Sequence, residues 1–102
     1  MAVYFCKLVA PRTTFVQDMT PAEVAAMGQH AAYWKGLIGQ GTRVFALGLV
    51  VAAEGAFGVG IVDVDDEAAL RALTANDPAI KAGIGMRYEI HPMPRGVMRS
   101  AS

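Results

Sequence analysis

The chain has 102 residues, of which 54% are hydrophobic and 18% charged, and nine basic side chains balance nine acidic ones. So short a polypeptide supports one hydrophobic core and one domain. Its neutral balance gives no long-range field toward nucleic acid or an anionic lipid surface, and no stretch approaches the roughly 20 apolar residues of a membrane helix, so neither partner is expected. The lone cysteine, Cys6, excludes an intrachain disulfide. With no basic leader and no small-residue cleavage site in view, a cytoplasmic location is expected.

From Val3 to Val9 the run V-Y-F-C-K-L-V is β-branched, aromatic and nearly apolar on both alternating faces, the pattern of a buried central strand. Pro11 stops it, and Arg12 to Met19 reads as a polar loop without periodicity. Thr20, Pro21 and Glu23 then form a capping-box signal for a helix. Val24, Met27, Ala31, Trp34 and Ile38 follow at helical spacing as its expected buried stripe, and Gly39 and Gly41 end it. Thr42 to Leu49 predicts a second strand, Ala53 to Ala56 a turn, and Phe57 to Val64 a third strand that is again apolar on both faces. Asp65, Asp66 and Glu67 place negative charge at the start of a second helix, whose expected inner face is Ala69, Leu70 and Leu73. Asn76-Asp77-Pro78 ends that helix, and Met86 to His91 alternates as a strand with one wet face.

The order β-α-β-β-α-β predicts an α+β, ferredoxin-like, four-stranded antiparallel sheet with both helices on one face and strands 1 and 3 in the middle. Those two strands are the ones that read as apolar on both sides. Helices cover only one face, so a second copy of the chain is expected on the other, making a homodimer. The domain is assigned to residues 1–92, and 93–102 to a tail or arm.

His30 projects beside Met27 and Trp34, on the flank of the helix stripe. A half-sheltered histidine can give or take a proton if a partner fixes its ring, and the competing reading is a packing histidine bonded to a backbone carbonyl. Asp77 in N-D-P can shape a turn, or can orient an imidazole; spacing alone does not pair it with His30. Arg12, on the loop, can hold a substrate carboxylate by a forked pair of bonds, or be a solvated charge. Trp34 can line a pocket for a planar ligand, or be core. Cys6 reads as an inert buried thiol and His91 as a surface or interface residue. Gly55, Gly58 and Gly60 lie at and within a strand with no helix opening after them, so they do not cradle a phosphate; Gly58 and Gly60 read as sites of close approach. The two histidines and scattered carboxylates have no ligand spacing, so no metal site is expected.

The run Gln29-His30-Ala31-Ala32-Tyr33-Trp34 through Gly41, the small-residue third strand, the segment Ala75-Asn76-Asp77-Pro78-Ala79-Ile80-Lys81-Ala82-Gly83 and a strand ending in His91-Pro92 together resemble the YciI-like (YCII-related) family. The resemblance covers nearly the whole chain. It implies a dimeric α+β barrel, and a His-Asp active site that maps onto His30 and Asp77. The chain departs from the family pattern at Gly48-Leu49, where Gly-Pro is usual, and in the length of the Arg12 to Met19 loop. The function expected is that of a small cofactor-free enzyme, with lyase- or isomerase-like acid-base chemistry on a small polar or aromatic metabolite. A non-catalytic dimeric module that binds a small molecule is the alternative.

Overall fold

The computed structural model describes residues 2–97. The elements run β1 (Ala2–Val9), α1 (Phe15–Asp18), α2 (Pro21–Gly39), β2 (Arg43–Ala52), β3 (Gly55–Val64), α3 (Glu67–Ala75), α4 (Pro78–Lys81) and β4 (Arg87–Pro92). The strands form one antiparallel sheet in the order β2-β3-β1-β4, so the two doubly apolar strands are indeed central. The fold is α+β, with the expected β-α-β-β-α-β order and two single-turn helices added. Part of the expected tail, residues 98–102, lies outside the described residues; within them, the Met93 N–H still donates to the Val3 carbonyl at 2.8 Å.

Pairing sorts the side chains by face, because residues opposite one another in a ladder point the same way. Tyr4, Cys6 and Leu8 oppose Val62, Gly60 and Gly58. This is the helix-covered face, where Tyr4, Cys6 and Val62 meet Trp34 of α2 and Leu70 of α3 in the core. Phe5 and Lys7 oppose Ile61 and Val59 on the other face, which no described helix covers. There the Lys7 ammonium lies 4.5 Å from the Phe57 ring centre, and the Phe5 ring stacks on His91.

Several expected details shift. Strand β2 runs on to Ala52, with Gly48 and Leu49 inside the ladder opposite Val59 and Gly58, and it is bulged at Phe45. The reversal is confined to Ala53 and Glu54, followed by Gly55 at φ +127°, a conformation a side chain would strain. On α2, only Trp34 of the expected stripe is buried; Val24 and Ile38 are exposed, while Glu23 and Ala26 are buried. Apolar residues lie all round this helix, so periodicity defined no single direction, and Glu23 is drawn inward by its hydrogen bonds. On α3, Leu70 and Thr74 are buried and Ala69 is exposed.

The Arg12 to Met19 segment is more ordered than its composition suggested. The Arg12 guanidinium donates to Asp18 Oδ1 at 2.7 Å, and reaches both Glu23 carboxylate oxygens at 2.7 and 2.8 Å. Glu23 also closes the capping box with Thr20. One cation therefore ties the α1 turn to the first turn of α2, and the buried Phe15 is held against the sheet side of the loop.

Candidate functional site

Asp77 sits where α3 gives way to α4. Its Oδ1 accepts the Ala79 N–H at 2.9 Å, so it caps the single turn that Pro78 begins. The turn-shaping role and a second role coexist, because Oδ2 points back toward α2. It accepts from His30 Nδ1 at 2.7 Å, from Trp34 Nε1 at 2.9 Å and from the Tyr88 hydroxyl at 2.6 Å. Gly83, at φ +67°, reverses the chain after α4 and directs it into the strand that carries Tyr88.

The carboxylate is fully buried. Burial by itself opposes ionisation, yet the bonds from His30, Tyr88, Trp34 and the Ala79 amide together bring its pKa below the ordinary aspartate value. An ionised carboxylate only accepts, so His30 Nδ1 carries a proton and Nε2 is the nitrogen left free. Burial, then the bond to this carboxylate, pushes the Tyr88 hydroxyl well above its usual range. Tyr33, one residue before Trp34, donates to the Leu73 carbonyl at 2.6 Å and is also raised, by burial and then by the Asp77 charge.

His30, Trp34 and Tyr88 line one cavity of about 430 Å³ on the helix-covered side of the sheet. Leu8, Phe15, Met27, Leu47, Leu49 and Val62 contribute most of its apolar wall. On its β2 side the lining residues Leu47 and Leu49 are exposed. Gly58 and Gly60 form part of the floor; a Cβ on Gly60 would come 3.1 Å from Leu47 Cδ2, and one on Gly58 would come 3.2 Å from Leu8 Cβ. The Cys6 thiol also lines the cavity and is pushed up to about 11 by burial, so it stays protonated at neutral pH.

Of the residues singled out from sequence, His30, Asp77 and Trp34 are brought together. Arg12 is not among the residues lining this cavity, and its fork is occupied by Asp18 and Glu23. Tyr88 is the member that sequence reasoning did not single out for the site. Alternation did place it on the inward face of the last strand, but nothing in the pattern showed where its hydroxyl ends. His91 is exposed on the opposite face, against Phe5. Among the described residues, no group of three or more His, Cys, Asp or Glu side chains is arranged to hold a metal ion.

Fold and site together define a small α+β protein that shelters a His-Asp pair at the wall of an apolar cavity. Residues 4–94 match the YCII-related domain, and the chain belongs to that family. No curated protein matches the sequence. Among solved structures it is similar to 5-chloro-2-hydroxyhydroquinone dehydrochlorinase (TftG) from Burkholderia phenoliruptrix AC1100, in complex with 2,5-dihydroxybenzoquinone. That likeness has a TM-score of 0.66 at 17% identity and covers 91% of this chain and 95% of the other, a likeness of fold.

Proposed function

We propose that the protein is a small enzyme, needing no cofactor, in which His30 moves a proton on a small, largely apolar ring compound while Asp77 orients the imidazole. One observation carries this reading: His30 Nδ1 is bonded at 2.7 Å to a fully buried carboxylate while the same ring lines the cavity. Asp77 fixes the tautomer, so the Nε2 lone pair is available, and the carboxylate balances the imidazolium that forms. In an elimination, Nε2 takes a proton from carbon. The C–H electron pair becomes the new π bond as the leaving group departs with its own pair, and the proton then passes from Nε2 to water. An isomerisation would return the proton to a different carbon.

The cavity inventory narrows the substrate. Trp34 and Tyr88 have their N–H and O–H on Asp77, so the polar side-chain groups left on the lining are His30 Nε2, the Lys35 ammonium and the weakly donating Cys6 thiol. Trp34 offers its ring as wall. In this reading Arg12 orders the neighbouring Phe15 segment, with its guanidinium 5.3 Å from that ring centre, and its fork is not available to a ligand carboxylate.

TftG is named as a dehydrochlorinase of a hydroquinone, and this shared fold makes chlorinated hydroquinones and enolisable ring ketones the first compounds to screen. Chloride release and loss of a C–H signal in D₂O are the readouts. His30→Ala should lower turnover by about 10²- to 10⁴-fold, the usual contribution of a general base; unchanged turnover would remove the proposal. The nearly apolar lining also suits a module that binds a metabolite without converting it, which predicts affinity with no turnover on any compound that binds.

A homodimer belongs to the same proposal. The uncovered sheet face carries half-buried Val3, Phe5, Val59 and Ile61, apolar surface that a second sheet would cover. Sedimentation at increasing concentration tests it, and a persistent monomer would sink it. The free buried thiol of Cys6 suits a reducing, cytoplasmic location, and no described helix is long and apolar enough to cross a membrane.

A further inference from the structure

We propose that Trp34 and Tyr88 are positioning residues, which take up part of the Asp77 charge through its Oδ2 and so set how strongly that carboxylate holds the proton on His30. The inference rests on the reading of His30 as the proton carrier. Its basis is that three side-chain donors from two elements converge on one oxygen: His30 and Trp34, one helical turn apart on α2, and Tyr88 from β4.

A His-Asp pair alone at an apolar wall has two weaknesses. Once Nε2 has taken a proton, the carboxylate gains by taking the Nδ1 proton from the imidazolium, which neutralises both groups and leaves Nδ1, not Nε2, as the bare nitrogen. Conversely, if the carboxylate stays ionised with a single partner, its whole charge falls on the imidazole and makes it a reluctant proton donor. Two further donors address both. Neither the indole N–H nor the raised Tyr88 hydroxyl gives up its proton at working pH, so each bond favours the ionised carboxylate and shares its charge. Trp34 Nε1 also lies 3.2 Å from the Tyr88 oxygen, so the two donors are themselves coupled.

Other titratable groups stand around the pair without reaching its oxygens. Tyr33 and Lys35 are on α2, the Cys6 thiol is on β1, and Lys81 is on α4. Tyr33 has its hydroxyl on Leu73, and Lys35 and Lys81 are exposed. Among the described residues, only His30, Trp34, Tyr88 and the Ala79 N–H hydrogen-bond to the Asp77 carboxylate.

The readout is the imidazole of His30, followed by nitrogen and proton NMR across pH in the full-length protein and its variants. In Tyr88→Phe, the lost charge-assisted bond returns negative charge to His30, and the pH at which the ring takes up its second proton should rise by about half a unit to one unit. Trp34→Phe should move it the same way, and less, because its bond is the longer. Replacing Tyr88 by 3-fluorotyrosine keeps the shape and strengthens the donor, so it should move the midpoint down. This keeps the inference testable if a deletion variant fails to fold. A merely structural role would lower stability and leave the titration where it was; a midpoint unmoved in a folded Tyr88→Phe and in the fluorinated protein overturns the proposal. Such a result would leave the His30 assignment standing, whereas unchanged turnover in His30→Ala would remove that assignment whatever the titration shows.

Discussion

Two carboxylates lean on helix α2, and they are used in opposite ways. Glu23, in its first turn, accepts twice from Arg12 and once from the Thr20 N–H, and the bond from Arg12 is the largest cause that holds its pKa down to about 2. Its partners are a guanidinium and a backbone amide, neither of which changes protonation near neutral pH. Asp77 gathers four bonds, but one comes from an imidazole whose second nitrogen is free and whose ring borders a cavity. The first carboxylate is a brace with every partner fixed. The second is equally well satisfied, yet one of its donors, the imidazole, can itself take up and pass on a proton at the cavity. What separates a site from a brace is therefore the identity and exposure of the partner.

The largest effect should come from removing the second carboxylate. Asp77→Ala leaves the Tyr88 hydroxyl and the Ala79 N–H without their acceptor in a fully buried place, and the Trp34 N–H with only the Tyr88 oxygen at 3.2 Å, which should cost about 3–5 kcal/mol. Urea unfolding measures it. A loss under about 1 kcal/mol would mean that the network is looser than its geometry, and the contrast with His30→Ala sharpens the point. Removing the imidazole leaves three of the four bonds in place, so stability should fall far less while turnover falls far more. Acid has the same logic. The folded-state pKa of Asp77 lies below its unfolded value, so its contribution is present above the ordinary aspartate pKa and is lost as pH falls through the depressed one.

Arg12→Ala comes next. It releases Glu23 and Asp18 together, lowers the unfolding temperature at pH 7 and leaves the pH profile of turnover unmoved. Glu23 binds its proton near pH 2 when folded and near its ordinary 4.5 when unfolded. The stabilisation from Glu23 is thus full above pH 4.5 and vanishes as pH falls toward 2, and the variant and the parent should converge there in thermal melts. Failure to converge would show that Arg12 acts through packing on Phe15 more than through charge.

This contrast also marks how far the sequence could be read. Strand order, both long helices, the Thr20-Glu23 cap and the central place of β1 and β3 follow from local pattern, because alternation and caps are written within a few residues of where they act. Partners distant in sequence are not. His30 and Asp77 lie 47 residues apart, and they were paired through family resemblance rather than spacing. Tyr88 was legible as an inward residue but not as a hydrogen-bond donor to Asp77. From sequence Arg12 reads as a fork for a substrate carboxylate or as a solvated loop charge, because nothing local pairs it with Glu23, eleven residues further on. The stripe on α2 is misplaced for the same reason: with apolar residues on every side, the partners that Glu23, His30 and Trp34 find in Arg12 and Asp77 lie outside any window of that helix.

The smallest effect tests whether brace and site are independent. Thr20→Ala removes the side chain that accepts the Glu23 N–H at 3.2 Å, and should cost about 1 kcal/mol in chemical denaturation. His30 lies about 15 Å further along the same helix by its rise of ~1.5 Å per residue. If the two networks act separately, turnover at neutral pH should stay within about twofold of the parent, since a frayed first turn does not propagate far along a helix anchored by Trp34 and Tyr33. A larger loss would mean that the first turn sets the angle at which α2 presents His30 to the cavity. The Arg12-Glu23 brace would then be part of the machinery that aims the imidazole, and the division between the two carboxylates would fail.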